Sequence, residues 1–120
     1  MSSQLPVMYG ITNCDTIKKA RQWLAQQQID YQFHDYKKLG TDENQLKSWI
    51  SEFGWETIVN KRGTSWRKLD EGTRAGMDAE TALAVLQGNP SMIKRPIMDT
   101  GKQLVIGFSE TEYQQIFQKS

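Results

Sequence analysis

Cys14 is the one cysteine in this chain of 120 residues. It sits in Asn13-Cys14-Asp15-Thr16, after the apolar run Val7-Met8-Tyr9-Gly10-Ile11 and before the helical pattern Ile17 to Leu24. A thiol becomes a nucleophile when it loses its proton. The N-terminus of a helix, with its unpaired N–H groups and partial positive charge, favours that loss. Asn13, Asp15 and Thr16 therefore read as the loop of an active site around Cys14. The rival reading is an inert buried thiol. Position 17, where a C-x-x-C motif would carry its second thiol, is Ile. A mixed disulfide at Cys14 has no partner within the chain to resolve it. Redox chemistry here needs an outside thiol, and glutathione is the natural cytosolic candidate.

Arg62 and Arg95 are the cations to weigh beside it. A guanidinium keeps its charge and forks onto oxyanions and carboxylates, although most arginines are simply solvated. Arg95 precedes Pro96, which restricts it to extended geometry and makes the Arg95–Pro96 bond a candidate cis bond. His34 stands alone on an expected strand and reads as structural or surface. One His and one Cys make no metal site, no bound cofactor is expected, and the nine glycines punctuate turns instead of forming a phosphate loop.

These residues need elements to place them. Residues 5–11 read as a buried strand, 15–28 as a helix with Ile17, Ala20 and Leu24 inward, and 31–36 as an alternating strand. That β-α-β opening implies parallel strands. Leu46, Trp49, Ile50 and Phe53 recur at helical spacing between a Thr41/Asp42 cap and Gly54. Asp78 reads as the cap of a helix through Ala79, Leu83 and Leu86 that stops at Gly88. Asn89-Pro90 suits another helix start. Residues 60–69 read as a loop with a short helix. Pro96-Ile97-Met98 and residues 103–108 flank a turn at Asp99–Lys102, a β-hairpin. Ser109-x-x-Glu112 fits a capping box, with Phe108 and Tyr113 placed for its staple. The order predicts an α/β, thioredoxin-like fold: a central mixed β-sheet, β-α-β then β-β-α, with helices on its faces and a helical insertion at about 41–94 in a single domain, 1–120. In such a fold a cis-proline loop faces the active cysteine, which would bring Arg95 to the site.

Composition narrows the function. Fifteen basic and 14 acidic residues leave a net charge of +1. That balance gives no electrostatic basis for binding nucleic acid or an anionic membrane. No apolar stretch approaches the roughly 18 residues of a spanning helix. The short polar start is not expected to act as a secretory signal, and a lone cysteine forms no internal disulfide. A cytoplasmic monomer is expected.

Three segments then carry a resemblance: Tyr9-Gly10-Ile11-Thr12-Asn13-Cys14-Asp15-Thr16-Ile17-Lys18-Lys19-Ala20, Asn60-Lys61-Arg62-Gly63-Thr64-Ser65-Trp66-Arg67-Lys68-Leu69, and Ile93-Lys94-Arg95-Pro96-Ile97. Together, in order, they resemble the arsenate reductase (ArsC) family and its YffB-like branch, over about Val7 to Phe117. The resemblance implies Cys14 as nucleophile, Arg62 and Arg95 lining an anion site, and reduction of arsenate with glutathione and glutaredoxin through a cysteine–arsenic adduct. The chain departs from true arsenate reductases at Gly10-Ile11-Thr12, where they carry His-Asn-Pro, and at Gly107, where they carry a third arginine. Each lost charge-assisted hydrogen bond should weaken arsenate binding by about 1.5–3 kcal/mol. A glutathione-dependent thiol reductase acting on a mixed disulfide fits better than reduction of a small oxyanion. The alternative class is the Spx-type regulator, which shares this fold and binds RNA polymerase. Its usual C-x-x-C switch is missing here because of Ile17.

Overall fold

The computed structural model describes residues 5–12 and 14–117. The chain divides into two compact units: residues through Asp35 joined by those from Arg95 onward, and Tyr36–Lys94.

The first unit holds the sheet. β1 (Val7–Gly10), α1 (Asp15–Gln26) and β2 (Gln32–Asp35) form the opening crossover, and β1 pairs with β2 in parallel, Met8 opposite Phe33. The order across the sheet is β2-β1-β3-β4, with β3 (Ile97–Asp99) and β4 (Leu104–Ile106) as an antiparallel hairpin added to the other edge of β1. The register aligns Phe33, Met8, Met98 and Val105 in one row. Side chains in one row share a face of the sheet. On that face Met8, Met98 and Val105 pack with Ile17, Ala20, Trp23 and Leu24 of α1 and with Tyr113. Tyr113 belongs to α8 (Glu110–Ile116). A strand-turn-helix-strand order buries an amphipathic helix in this way, because the apolar stripe has one surface to cover.

Local chemistry sets the ends. The Glu112 N–H donates to Ser109 Oγ at 3.4 Å, capping α8. Phe108 and Tyr113 meet edge-on, ring centroids 4.8 Å apart. In the hairpin turn the Gly101 N–H donates to Asp99 Oδ1 at 2.8 Å. β2 is one residue shorter at each end than the alternation predicts over residues 31–36. Its exposure pattern is not a clean in-out alternation, since both Phe33 and His34 are half-buried. His34 rests its ring 5.1 Å from that of Tyr9 on the neighbouring strand.

Two positions in this unit give testable energetics. A Cβ on Gly10 would strike Ile17 Cδ1 and lie 3.3 Å from Ile17 Cγ1. Ile17 is fully packed, so Gly10→Ala is expected to destabilise the protein by about 1–3 kcal/mol in chemical denaturation. Tyr113 is buried, and among the described residues its hydroxyl has no hydrogen-bond partner. Burial, with a smaller contribution from the Glu112 charge, pushes its ionisation far above the usual tyrosine range. An orphaned buried hydroxyl costs desolvation and returns nothing. Tyr113→Phe should therefore leave stability unchanged or raise it by up to roughly 1 kcal/mol, and a loss of that size would reveal a partner.

The second unit is helical: α2 (Tyr36–Leu39), α3 (Glu43–Phe53), α4 (Trp55–Ile58), α5 (Thr64–Arg67), α6 (Glu71–Ala75) and α7 (Ala79–Gly88), followed by a 3₁₀ turn at Pro90–Met92. Asp42, Asp70 and Asp78 each cap a helix by accepting the N–H three residues on. Gly54, at φ +85°, ends α3 in a backbone conformation that favours glycine. Leu46, Trp49 and Ile50 are buried as their spacing predicts. In α7 the buried residues are Ala82 and Leu86, whereas Ala79 is exposed and Leu83 half-buried, so the stripe lies partly off the expected one. The Tyr36 hydroxyl donates to the Ile93 carbonyl at 3.0 Å inside this unit.

Candidate active site

Cys14 occupies the N-cap of α1 with extended backbone, φ −150° and ψ 131°. An N-cap residue projects its side chain toward the first free N–H groups of its helix. The Cys14 sulfur is half-buried and free of any disulfide. Partial burial pushes its pKa up. Against that act the Ile17 N–H, the Arg95 guanidinium hydrogen-bonded to the sulfur, the Thr16 N–H and the charge of Arg95, and together they hold the thiol below its ordinary value. The backbone N–H groups act as dipoles, since no regular cap hydrogen bond forms to the sulfur. An acidic residue in the first turn, Asp15, is exposed.

The other half of this site comes from the strand that re-enters the sheet. The Arg95–Pro96 bond is cis. Pro96 is buried and its carbonyl accepts the Gly107 N–H at 2.8 Å. Arg95 immediately precedes β3, the strand beside β1, and β1 leads into the Cys14 turn. Adjacent strands of one sheet thus deliver the guanidinium and the sulfur to each other. The Thr16 N–H and the Arg95 guanidinium both act on the Cys14 sulfur, and Pro96 anchors the Arg95 segment. Asn13 lies outside the described residues.

Arg62 stands in the helical unit, in the segment between α4 and α5. It is exposed, and its backbone N–H donates to Asn60 Oδ1 at 3.1 Å. With Glu56, Asn60, Lys61 and Lys94 it lines a cavity of about 390 Å³. Sequence reasoning passed over Lys61, Lys94 and Glu56. The available signal was the pairing of each arginine with a preceding lysine, Lys61-Arg62 and Lys94-Arg95.

Gly107 carries φ +80°. A side chain at that angle is strained, by on the order of 1–3 kcal/mol for a residue other than glycine. The backbone at this point is therefore built for glycine and not for a third arginine.

Among the described residues, no helix is long and apolar enough to cross a membrane. Residues 9–116 match the model of the ArsC family. An uncharacterized protein of Haemophilus influenzae is 50% identical over 110 residues, covering 92% of this chain and 96% of that protein. The solved structure of a YffB protein superposes with a TM-score of 0.88 at 44% identity, covering 92% of this chain and 96% of the other. The global transcriptional regulator Spx of Streptococcus pyogenes is 31% identical over 102 residues, 83% of this chain and 75% of the regulator.

Proposed function

The chain belongs to the ArsC family, and from that premise we propose that it is a glutathione-dependent thiol oxidoreductase with Cys14 as its single nucleophile. The carrying observation is the environment of the Cys14 sulfur. The helix-end N–H groups of Ile17 and Thr16 and the Arg95 guanidinium all favour its ionised form. A thiolate held this way attacks the glutathione sulfur of a mixed disulfide R–S–S–G, and R–S⁻ leaves and takes up a proton. Cys14–S–S–G remains. A second glutathione, as thiolate, attacks the glutathione sulfur of that adduct, releases the Cys14 thiolate and departs as oxidised glutathione. Overall R–S–S–G and one glutathione give R–SH and oxidised glutathione: one disulfide is broken and one formed, one thiol replaces another, and Cys14 returns to its starting state. No second thiol of the chain takes part, in keeping with Ile17 at the resolving position. Arg62 contributes to anion binding in this reading, and glutaredoxin could serve in place of the second glutathione.

Reduction of arsenate, the activity that names the family, is disfavoured here by Gly107, whose positive φ suits no arginine. A second reading is an Spx-like regulator that binds RNA polymerase, favoured by the 31% identity to Spx. Immobilised protein that retains RNA polymerase from lysate would support it.

Intact-mass measurement after incubation with oxidised glutathione tests the enzymatic reading. One glutathione per chain, lost on adding reduced glutathione, is the expected result. A chain that stays unmodified at neutral pH would overturn it.

A further inference from the structure

In the helical unit an isolated antiparallel bridge, Val59 with Ile93, sets two basic segments side by side. The Asn60 N–H donates to the Met92 carbonyl at 2.8 Å, and the Lys94 N–H donates to the Ile58 carbonyl at 2.7 Å. The backbone that carries Lys61, Arg62 and Lys94 is fixed by these bonds before any ligand arrives. All three line the cavity of about 390 Å³, together with Glu56 and Asn60. That size falls in the range of roughly 300–1,000 Å³ typical of small-molecule sites. Lys61 is also positioned through its head group: Nζ lies 5.2 Å from the Trp55 ring centroid and 5.7 Å from that of Trp66. A cation held by aromatic faces loses less freedom when it takes up an anion.

The charges in this cavity are not paired with one another. Among the described residues, none of Glu56, Lys61, Arg62 and Lys94 makes an ion pair; the bridge seen is Lys47–Glu43, elsewhere in the unit. Three cations and one carboxylate therefore share one cavity without neutralising one another. An inorganic oxyanion would have use for the cations and would be repelled by Glu56.

We infer that this cavity recognises a small peptide carrying two carboxylates and one ammonium group. Lys61, Arg62 and Lys94 take the carboxylates, and Glu56 takes the ammonium. Glutathione has this pattern, with a carboxylate and an ammonium on its γ-glutamyl end and a second carboxylate on its glycyl end. Its identity as the ligand rests on the function proposed above; the charge pattern of the cavity does not.

S-methylglutathione, which cannot enter disulfide chemistry, is the probe, and the full-length Cys14→Ser protein is the host. Calorimetric titration should show saturable binding. Reversing two cations, Lys61→Glu with Lys94→Glu, should weaken it about tenfold or more, as loss of a charge-assisted bond does. Glu56→Gln should weaken S-methylglutathione and leave its N-acetyl derivative, which lacks the ammonium, unaffected. Should the reversal variant fail to fold, Lys61→Gln with Lys94→Gln makes the same comparison. No saturable binding, an unchanged affinity in the cation variants, or equal loss for both ligands in Glu56→Gln would overturn the assignment. If S-methylglutathione binds with this pattern but Cys14 of the unaltered protein takes no glutathione, the nucleophile reading fails and the cavity assignment stands. The reverse result sinks the cavity alone.

Discussion

Under the proposed function, replacing Cys14 with serine should abolish the glutathione adduct and lower thiol-reductase turnover by on the order of 10³-fold or more. A hydroxyl cannot form the disulfide intermediate, and no other thiol exists in the chain to stand in for it. Fold damage would not explain such a loss. Cys14 is the N-cap of α1, in the extended conformation an N-cap adopts, and serine is among the residues favoured there. The variant should melt at the same temperature as the parent or slightly above. Activity within tenfold of the parent, at equal melting temperature, would show that the sulfur does not carry the reaction.

Arg95→Ala should raise the pKa of the Cys14 thiol and slow its alkylation at neutral pH. Burial pushes that pKa up, and the Ile17 N–H, Arg95 and the Thr16 N–H bring it down. Removing Arg95 deletes both its hydrogen bond and its charge and leaves the helix dipoles alone against burial. Each unit of rise cuts the reactive thiolate about tenfold at a pH below the pKa. Arg95→Lys keeps the charge without the planar fork and should fall between. Rates of iodoacetamide labelling against pH check this, and superimposable profiles would remove Arg95 from the sulfur's electrostatics. The same shift links to stability. A pKa held low in the folded protein adds stability that is fully present above the unfolded thiol's value of about 8.5. It fades as pH falls through the folded value. Unfolding free energy of the parent relative to Cys14→Ser should thus rise with pH across that interval, and by less in Arg95→Ala.

What was legible in the sequence was local. The cap position of Cys14 follows from a strand, a turn and a helix in succession. Asp42, Asp78 and Ser109 announce their helices because a cap needs only its own next three residues. The hairpin shows in its turn chemistry, and Pro96 marks the segment that carries Arg95. The short helices at Tyr36–Leu39, Trp55–Ile58 and Glu71–Ala75 were not legible, since four or five residues hold too little periodicity to display a stripe. The α7 stripe went partly astray because the helix is apolar on more than one side: Ala79, Leu83 and Leu86 and the buried pair Ala82 and Leu86 have similar spacing. The basic cavity was invisible for a different reason. Lys94 meets Lys61 and Arg62 through the bridge between Val59 and Ile93, a pairing between segments far apart in the chain that no local pattern records.

The placement of Lys61 beside two indoles carries an optical consequence. Trp55 and Trp66 are only half-buried and lie within 6 Å of its ammonium. The remaining two tryptophans, Trp23 and Trp49, are sealed from solvent. An anion that draws the ammonium toward itself changes the electric field across Trp55 and Trp66 and leaves the shielded pair dark to the event. If an anion occupies the basic cavity as inferred above, tryptophan emission should shift on binding, a readout that needs no dye or label.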